Sequence, residues 1–337
     1  MLACFFKAFL LGLSFIYGLI VVFIRALYSL GVIKKAELES SVISVGNITC
    51  GGTGKTPFVR MLIKYLSDKG DKTAILIRGY KRRPVNNQKL HNPQTMGDEG
   101  YLLSKITDVP VLVGRDRIKT GRKAQLEYNP DVIILDDAFQ HWRLKRDLDI
   151  VLINATNPFG NNCLIPRGIL RERISNLKRA DVFALSKVDL ADDVLALTNK
   201  LKSINSQALI IETVHKPVCF LNLGGRQFKL QEIAGKEVCI FSAIADFSSF
   251  ERTILGLGAA VKRKFEFSDH YSYKQEDLDE ILSNSKEAGI SLVVTTQKDA
   301  VKLTNLRMDS SIRLFILNIE LKIIKNEQEF QSRLHSV

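Results

Sequence analysis

A glycine-rich loop set between an apolar run and an amphipathic stretch decides most of what this chain can be. After SVISVG come Gly46-Asn47-Ile48-Thr49-Cys50-Gly51-Gly52-Thr53-Gly54-Lys55-Thr56-Pro57. Phe58, Met61, Leu62, Tyr65 and Leu66 then recur at helical spacing up to Gly70. In a strand-loop-helix frame, glycines let backbone N–H groups wrap phosphate oxygens at the positive end of a helix. Lys55 supplies a cation for the β- and γ-phosphates and Thr56 a hydroxyl for Mg²⁺. The strict pattern GxxxxGK(S/T) asks for glycine at position 49, where Thr49 stands, so the loop is a variant. The candidate nucleotide-binding residues are Thr49, Cys50, Gly51, Gly52, Thr53, Gly54, Lys55 and Thr56.

Such a loop needs a carboxylate at a neighbouring strand end to hold the metal or its waters. Asp136-Asp137 closes the run VIIL in that way. An acidic turn in water explains two aspartates equally well in isolation, and it is their company with the loop that favours the metal. The chain therefore reads as a Mg²⁺-dependent nucleoside triphosphate enzyme. Ser186-Lys187-Val188-Asp189 resembles the (N/T)KxD element that reads guanine, although a solvated loop or a generic base contact accounts for four residues as readily.

From Ser41 onward the runs SVISVG, TAILI, VPVLVG, DVIILDD, LDIVLIN and DVFALS alternate with amphipathic stretches. Continuous β-branched runs suit strands covered on both faces. The expected fold is α/β, a P-loop doubly wound parallel sheet with its site at the carboxyl ends of the strands. ALIIETVH and VCFLNL flank Lys216-Pro217 like two connected strands, and a second α/β set begins at VCIFSA. The boundary is expected near 215–235. This divides the chain into a membrane-associated helix over 1–35, a P-loop domain over 40–215 and a smaller α/β domain over 216–337 that closes the cleft.

Ahead of the loop lie 17 uncharged residues, Ala8 to Ile24. As a helix they span about 25 Å, close to the ~30 Å of a bilayer core. No small-residue cleavage site follows, so an anchoring or embedded helix is preferred to a signal peptide or a buried core helix. The positive-inside tendency keeps the body cytoplasmic. Lysine and arginine number 48 against 36 acidic residues, a net charge of +12. An anionic partner is implied. Aromatics are not interleaved with the basic clusters at Arg78–Arg83, Arg115–Lys123, Arg143–Arg146 and Arg167–Arg173, which makes nucleic acid a poor fit. An anionic lipid acceptor at the membrane explains both the charge and the apolar helix. The five cysteines show no CxxC pair and the five histidines no zinc spacing.

Phosphoryl transfer to a hydroxyl needs a base and positive charge around the moving phosphate. Asp98 and Glu99 open a helical run, where they serve either as dipole-stabilised caps or as base and magnesium ligand.

These motifs, taken in order, resemble the tetraacyldisaccharide 4′-kinases, the lipid A 4′-kinases of Gram-negative bacteria. The matching segments are Gly46 to Pro57, Arg78-Gly79-Tyr80, Gly97-Asp98-Glu99, Asp136 to His141, Pro166 to Glu172, Asp269-His270-Tyr271 and Thr296 to Lys302. The resemblance implies ATP-dependent phosphorylation of the 4′-hydroxyl of a tetraacyldisaccharide 1-phosphate at the cytoplasmic face of the inner membrane. It implies Asp98 as base paired with His270, and Lys55 on the transferring phosphate. It further implies Thr56, Glu99, Asp136 and Asp137 around magnesium, and Tyr80, Gln140, His141 and Arg171 lining the substrate pocket. With His270 in the second domain, a cleft between domains is expected. Ala138, Tyr271 and Gln297 depart from the family pattern, where Gly, His and Glu are usual. A membrane-tethered P-loop switch acting on a protein partner is the competing reading.

Overall fold

The computed structural model describes residues 2–79, 93–304, 306–308 and 311–337. In chain order, Leu2–Ser29 form α1, Ser41–Asn47 β1, Lys55–Lys69 α2, Thr73–Ile77 β2, Pro93–Met96 α3 and Asp98–Ile106 α4. Val111–Val113 form β3, Arg117–Tyr128 α5, Val132–Asp136 β4, Leu148–Asn154 β5, Val182–Ser186 β6, Val194–Ile204 α6, Leu209–Leu221 β7 and Gln227–Phe228 β8. Glu237–Ser242 form β9, Phe247–Gly256 α7, Ala260–Glu266 β10, Gln275–Glu287 α8, Leu292–Thr296 β11, Gln297–Ala300 α9, Arg313–Lys325 β12 and Glu327–His335 α10.

Two compact units emerge. The first comprises Met1–Arg78, Thr107–Val214 and Leu321–Val337, and the second Gly79–Ile106 and His215–Glu320. The break at Val214/His215 lies at the edge of the expected boundary region. Residues 93–106, expected with the P-loop domain, belong to the second unit, because α4 forms ion pairs with side chains of that unit. Residues 321–337, expected with the smaller domain, belong to the first, because Phe330 of α10 is fully buried against the rings of Phe58 and Tyr65.

In the first unit the strand order is β3-β2-β4-β1-β5-β6-β7, with the pairs β2–β3, β2–β4, β1–β4, β1–β5, β5–β6 and β6–β7 all parallel. Chain order reverses around β1, which is flanked by β4 and β5, so β1 ends at the topological switch point where α/β sheets bind ligands. β2 and β4 are buried along their whole length, as β-branched runs covered on both faces should be. α2 stops at Gly70, whose φ of 92° closes the helix in the left-handed region.

The second unit carries the order β10-β9-β11-β12, again parallel. Its core includes Phe220 stacked on Phe315, with ring centroids 5.3 Å apart, and Tyr273 edge-on to Phe241. Two features correct the sequence expectation. The segments around Lys216-Pro217 are one continuous strand, β7. Proline removes a donor but keeps a φ compatible with extended backbone, so it interrupts hydrogen bonding without ending the strand. β12 and α10 carried no expectation at all.

Candidate active site

The phosphate loop leaves β1 where the expectation placed it. Gly51 (φ 110°) and Gly54 (φ 84°) adopt backbone that disfavours other residues, and Gly54 caps α2. Gly46 is required for a different reason, since a Cβ there would stand 2.6 Å from the backbone nitrogen of Phe139. Thr49 and Cys50 are not part of the glycine wrap. Thr49 bridges to Leu170, Cys50 N donates to Ile169 O at 2.7 Å, and Arg171 N donates to Ile48 O at 2.8 Å. Extended pairing of this kind needs no glycine at position 49, which explains the variant pattern.

Charges converge beside the loop. Lys55 Nζ lies 3.5 Å from Asp137 Oδ1, and Arg171 donates to the same oxygen at 2.7 Å. Burial pushes the Asp137 carboxyl up, but Lys55 and Arg171 outweigh it and hold the group at about 2. Asp136 is buried at the end of β4, with Val45 as its register partner on β1, and its main-chain oxygen accepts from Arg117. Gln140 donates to Asn47 O and to Glu172 Oε1, each at 2.9 Å, while Arg179 pairs with Glu172 at 2.6 Å and stacks on Phe139. His141 is kept neutral, its proton affinity lowered to about 4 by burial and by the cations Arg117, Arg146 and Arg143. Thr53 is tied in by Ser186, whose hydroxyl donates to its carbonyl at 2.9 Å, so the SKVD loop adjoins the phosphate loop. The left-handed residue after β4 is Asp137 (φ 51°) and not Ala138, which is why alanine fits there.

The second unit holds its own cluster. Asp98 and Glu99 start α4. His270 Nδ1 lies 3.8 Å from Asp98 Oδ2, and Lys302 Nζ lies 3.9 Å from it. Lys298 pairs with Asp269 at 2.9 Å and approaches Glu99 at 3.9 Å. Burial raises the Asp98 carboxyl, and His270 and Lys302 together outweigh it, so the group stays below the usual carboxylate range. The expected meeting of Asp98 and His270 across domains takes a different form, because both lie in this unit. Tyr271, where the family pattern has His, donates to Asp277 at 3.1 Å and packs on Phe267. Tyr80 lies outside the described residues. Asn47, Arg117, Glu172, Arg179, Lys298 and Lys302 escaped assignment as site residues. The basic-cluster and motif segments contained most of them, but only burial separates a structural charge from a solvated one.

Hard-oxygen donors for a magnesium ion are present near the loop in Thr56, Asp136 and Asp137, whereas Glu99 lies in the second unit beside Lys298. Among the described residues no group of three or more His, Cys, Asp or Glu could hold a metal by itself. This suits Mg²⁺, which keeps waters and phosphate oxygens as ligands.

A parallel sheet with a glycine loop at its switch point, a lysine beside it and an aspartate ending the neighbouring strand defines a P-loop phosphotransferase. Residues 6–337 match the family model of the tetraacyldisaccharide-1-P 4′-kinases (LpxK), and the chain belongs to that family. It is 36% identical to the tetraacyldisaccharide 4′-kinase of Halothermothrix orenii, over 91% of this chain and 87% of that one. It is 34% identical to that of Bdellovibrio bacteriovorus over 98% of each. The crystal structure of LpxK from Aquifex aeolicus in complex with ATP superposes with a TM-score of 0.77 at 31% identity, covering 98% of this chain and 99% of that one.

Proposed function

We propose that the chain transfers the γ-phosphate of ATP to the 4′-hydroxyl of a tetraacyldisaccharide 1-phosphate, a step of lipid A biosynthesis, at the cytoplasmic face of the inner membrane. The observation that carries this reading is the phosphate loop with Lys55 held beside Asp137 and Arg171, in a chain matched end to end by one kinase family. Backbone N–H groups of residues 51–56 hold the nucleotide phosphates, and Lys55 offsets charge on the moving phosphoryl group. Magnesium would supply charge neutralisation at the nucleotide phosphates, and Thr56, Asp136 and Asp137 would hold it. Asp98 takes the proton of the acceptor hydroxyl, and His270 orients the carboxylate and shares that charge. Gln140, His141 and Arg171 line the substrate side.

α1 supports the membrane assignment. Phe5–Ser29 is long and apolar enough to cross a bilayer, with mean hydropathy 2.3. One stripe of the helix docks on the body: Ser14 donates to Leu164 O and accepts from Arg167 N, Tyr17 donates to Arg171 O, Arg25 bonds Asn176, and Tyr28 meets Trp142. The opposite face exposes Phe5, Phe9, Ile16, Leu19 and Phe23. A helix held along one side favours lying in the interface with its free face toward acyl chains.

The deciding experiment follows label from γ-labelled ATP into the disaccharide 1-phosphate. Wild type labels the lipid, and Asp98→Ala lowers transfer roughly 10²–10⁴-fold while nucleotide binding persists. Release of free phosphate alone would replace this reading with the membrane-tethered switch.

A further inference from the structure

Lys302 is a buried cation with no task in the reading above. Its side chain is only 5% exposed, and its ammonium lies between two carboxylates, Asp299 at 3.3 Å and Asp98 at 3.9 Å. Asp299 is wholly buried: Ala243 N donates to it at 3.1 Å, the Thr296 hydroxyl at 2.7 Å and Lys302 Nζ at 3.3 Å, with the Tyr273 phenol beside it. Thr296 also caps α9 by accepting from Asp299 N at 3.2 Å. The Tyr273 ring lies 5.7 Å beneath the ammonium and shields it from water on that side. Lys302 therefore has little freedom, and the groups that fix it belong to the core of the second unit.

Asp98, by contrast, is half-buried at the start of a nine-residue helix, its side chain 25% exposed. His270 touches one of its oxygens at 3.8 Å, itself from a left-handed backbone position (φ 60°). An aspartate that must face a hydroxyl benefits from a fixed charge behind it, because misplacement of about 1 Å can cost ~10²-fold in rate. A lysine serving only Asp299 would have no reason to lie within ion-pair distance of Asp98.

We infer that Lys302 is a second positioning residue for Asp98 beside His270: anchored on Asp299, it fixes the direction in which the Asp98 carboxylate meets the acceptor hydroxyl. This rests on the reading of Asp98 as the proton acceptor. Lys302 acts through Asp98 and touches neither substrate.

The test uses the full-length enzyme in micelles with ATP and the disaccharide 1-phosphate. Lys302→Met should lower kcat roughly 10- to 100-fold and leave the KM for ATP within about two-fold, and Lys302→Arg should restore part of kcat by replacing the charge. Placed in an Asp98→Asn background, Lys302→Met should have almost no further effect, since the group it orients is gone. Because Lys302→Met strands the buried Asp299, the pair Asp299→Asn/Lys302→Met is made as well; it removes both charges and leaves none unpaired in the core. That pair should fold and remain slow. Return of kcat to the wild-type value in the pair, or loss of the same factor whether or not Asp98→Asn is present, overturns the inference. If Asp98→Asn alone keeps kcat within about ten-fold, the base assignment itself falls, a result separable from the other two.

Discussion

The Tyr17 phenol of α1 donates to the main-chain carbonyl of Arg171 at 2.7 Å, while the Arg171 guanidinium donates to Asp137 beside Lys55. The apolar helix α1 is thus joined to the charges beside the phosphate loop through Arg171. Tyr17→Phe removes a neutral hydrogen bond worth about 1 kcal/mol, and a roughly five-fold loss in kcat/KM for ATP is expected with membrane partition unchanged. Kinetics in micelles and sedimentation with vesicles read the two separately.

Lys55→Met should lower kcat roughly 10²–10³-fold, the scale of losing one charge-stabilising group at a transition state. Arg171 still holds Asp137 in that variant, so the thermal midpoint should change little. A kinase assay beside a melting curve checks both.

His141 makes a pH prediction. Its folded value of about 4 lies below the ordinary histidine value of 6.5. Between those values the unfolded chain binds a proton that the folded chain refuses. Stability from this group is therefore full above about pH 6.5 and is lost as pH falls toward 4, at up to about 1.4 kcal/mol per pH unit. Denaturant melts from about pH 7 to about pH 4.5 should show a shallower decline in His141→Phe than in wild type.

The free face of α1 predicts lipid affinity. Phe5, Phe9 and Phe23 are 80%, 57% and 65% exposed. Changing all three to serine should weaken binding to anionic vesicles by roughly 100-fold or more, at about 1 to 2 kcal/mol per ring withdrawn from the acyl region. The docked stripe is untouched, so the circular dichroism spectrum should stay as it is.

The sheet of the first unit was legible because covered strands must be apolar throughout, and VIIL or IVLI admits few alternatives. The loop was legible because its chemistry demands glycine and lysine at set places. What escaped was of two kinds. β7 runs through Lys216-Pro217, a pair that reads as a turn until tertiary pairing overrides it. The buried ions Glu172, Arg179 and Lys302 look like any other charges in a basic chain, since one sequence does not reveal which charge has lost its water. Departures from the family pattern proved easier to account for: Ala138 follows a left-handed Asp137 and is not left-handed itself, and Tyr271 is tied to the first turn of α8 through Asp277.

Residues 321–337 complete the first unit, with Phe330 seated between Phe58 and Tyr65 of the helix that follows the phosphate loop. A chain emerging from the ribosome therefore makes its nucleotide-binding loop long before residues 321–337 can seat Phe330 against the helix that follows it. Any product cut short before residue 321 carries an intact GGTGKT motif on a helix that has lost the Phe330 ring against Phe58 and Tyr65.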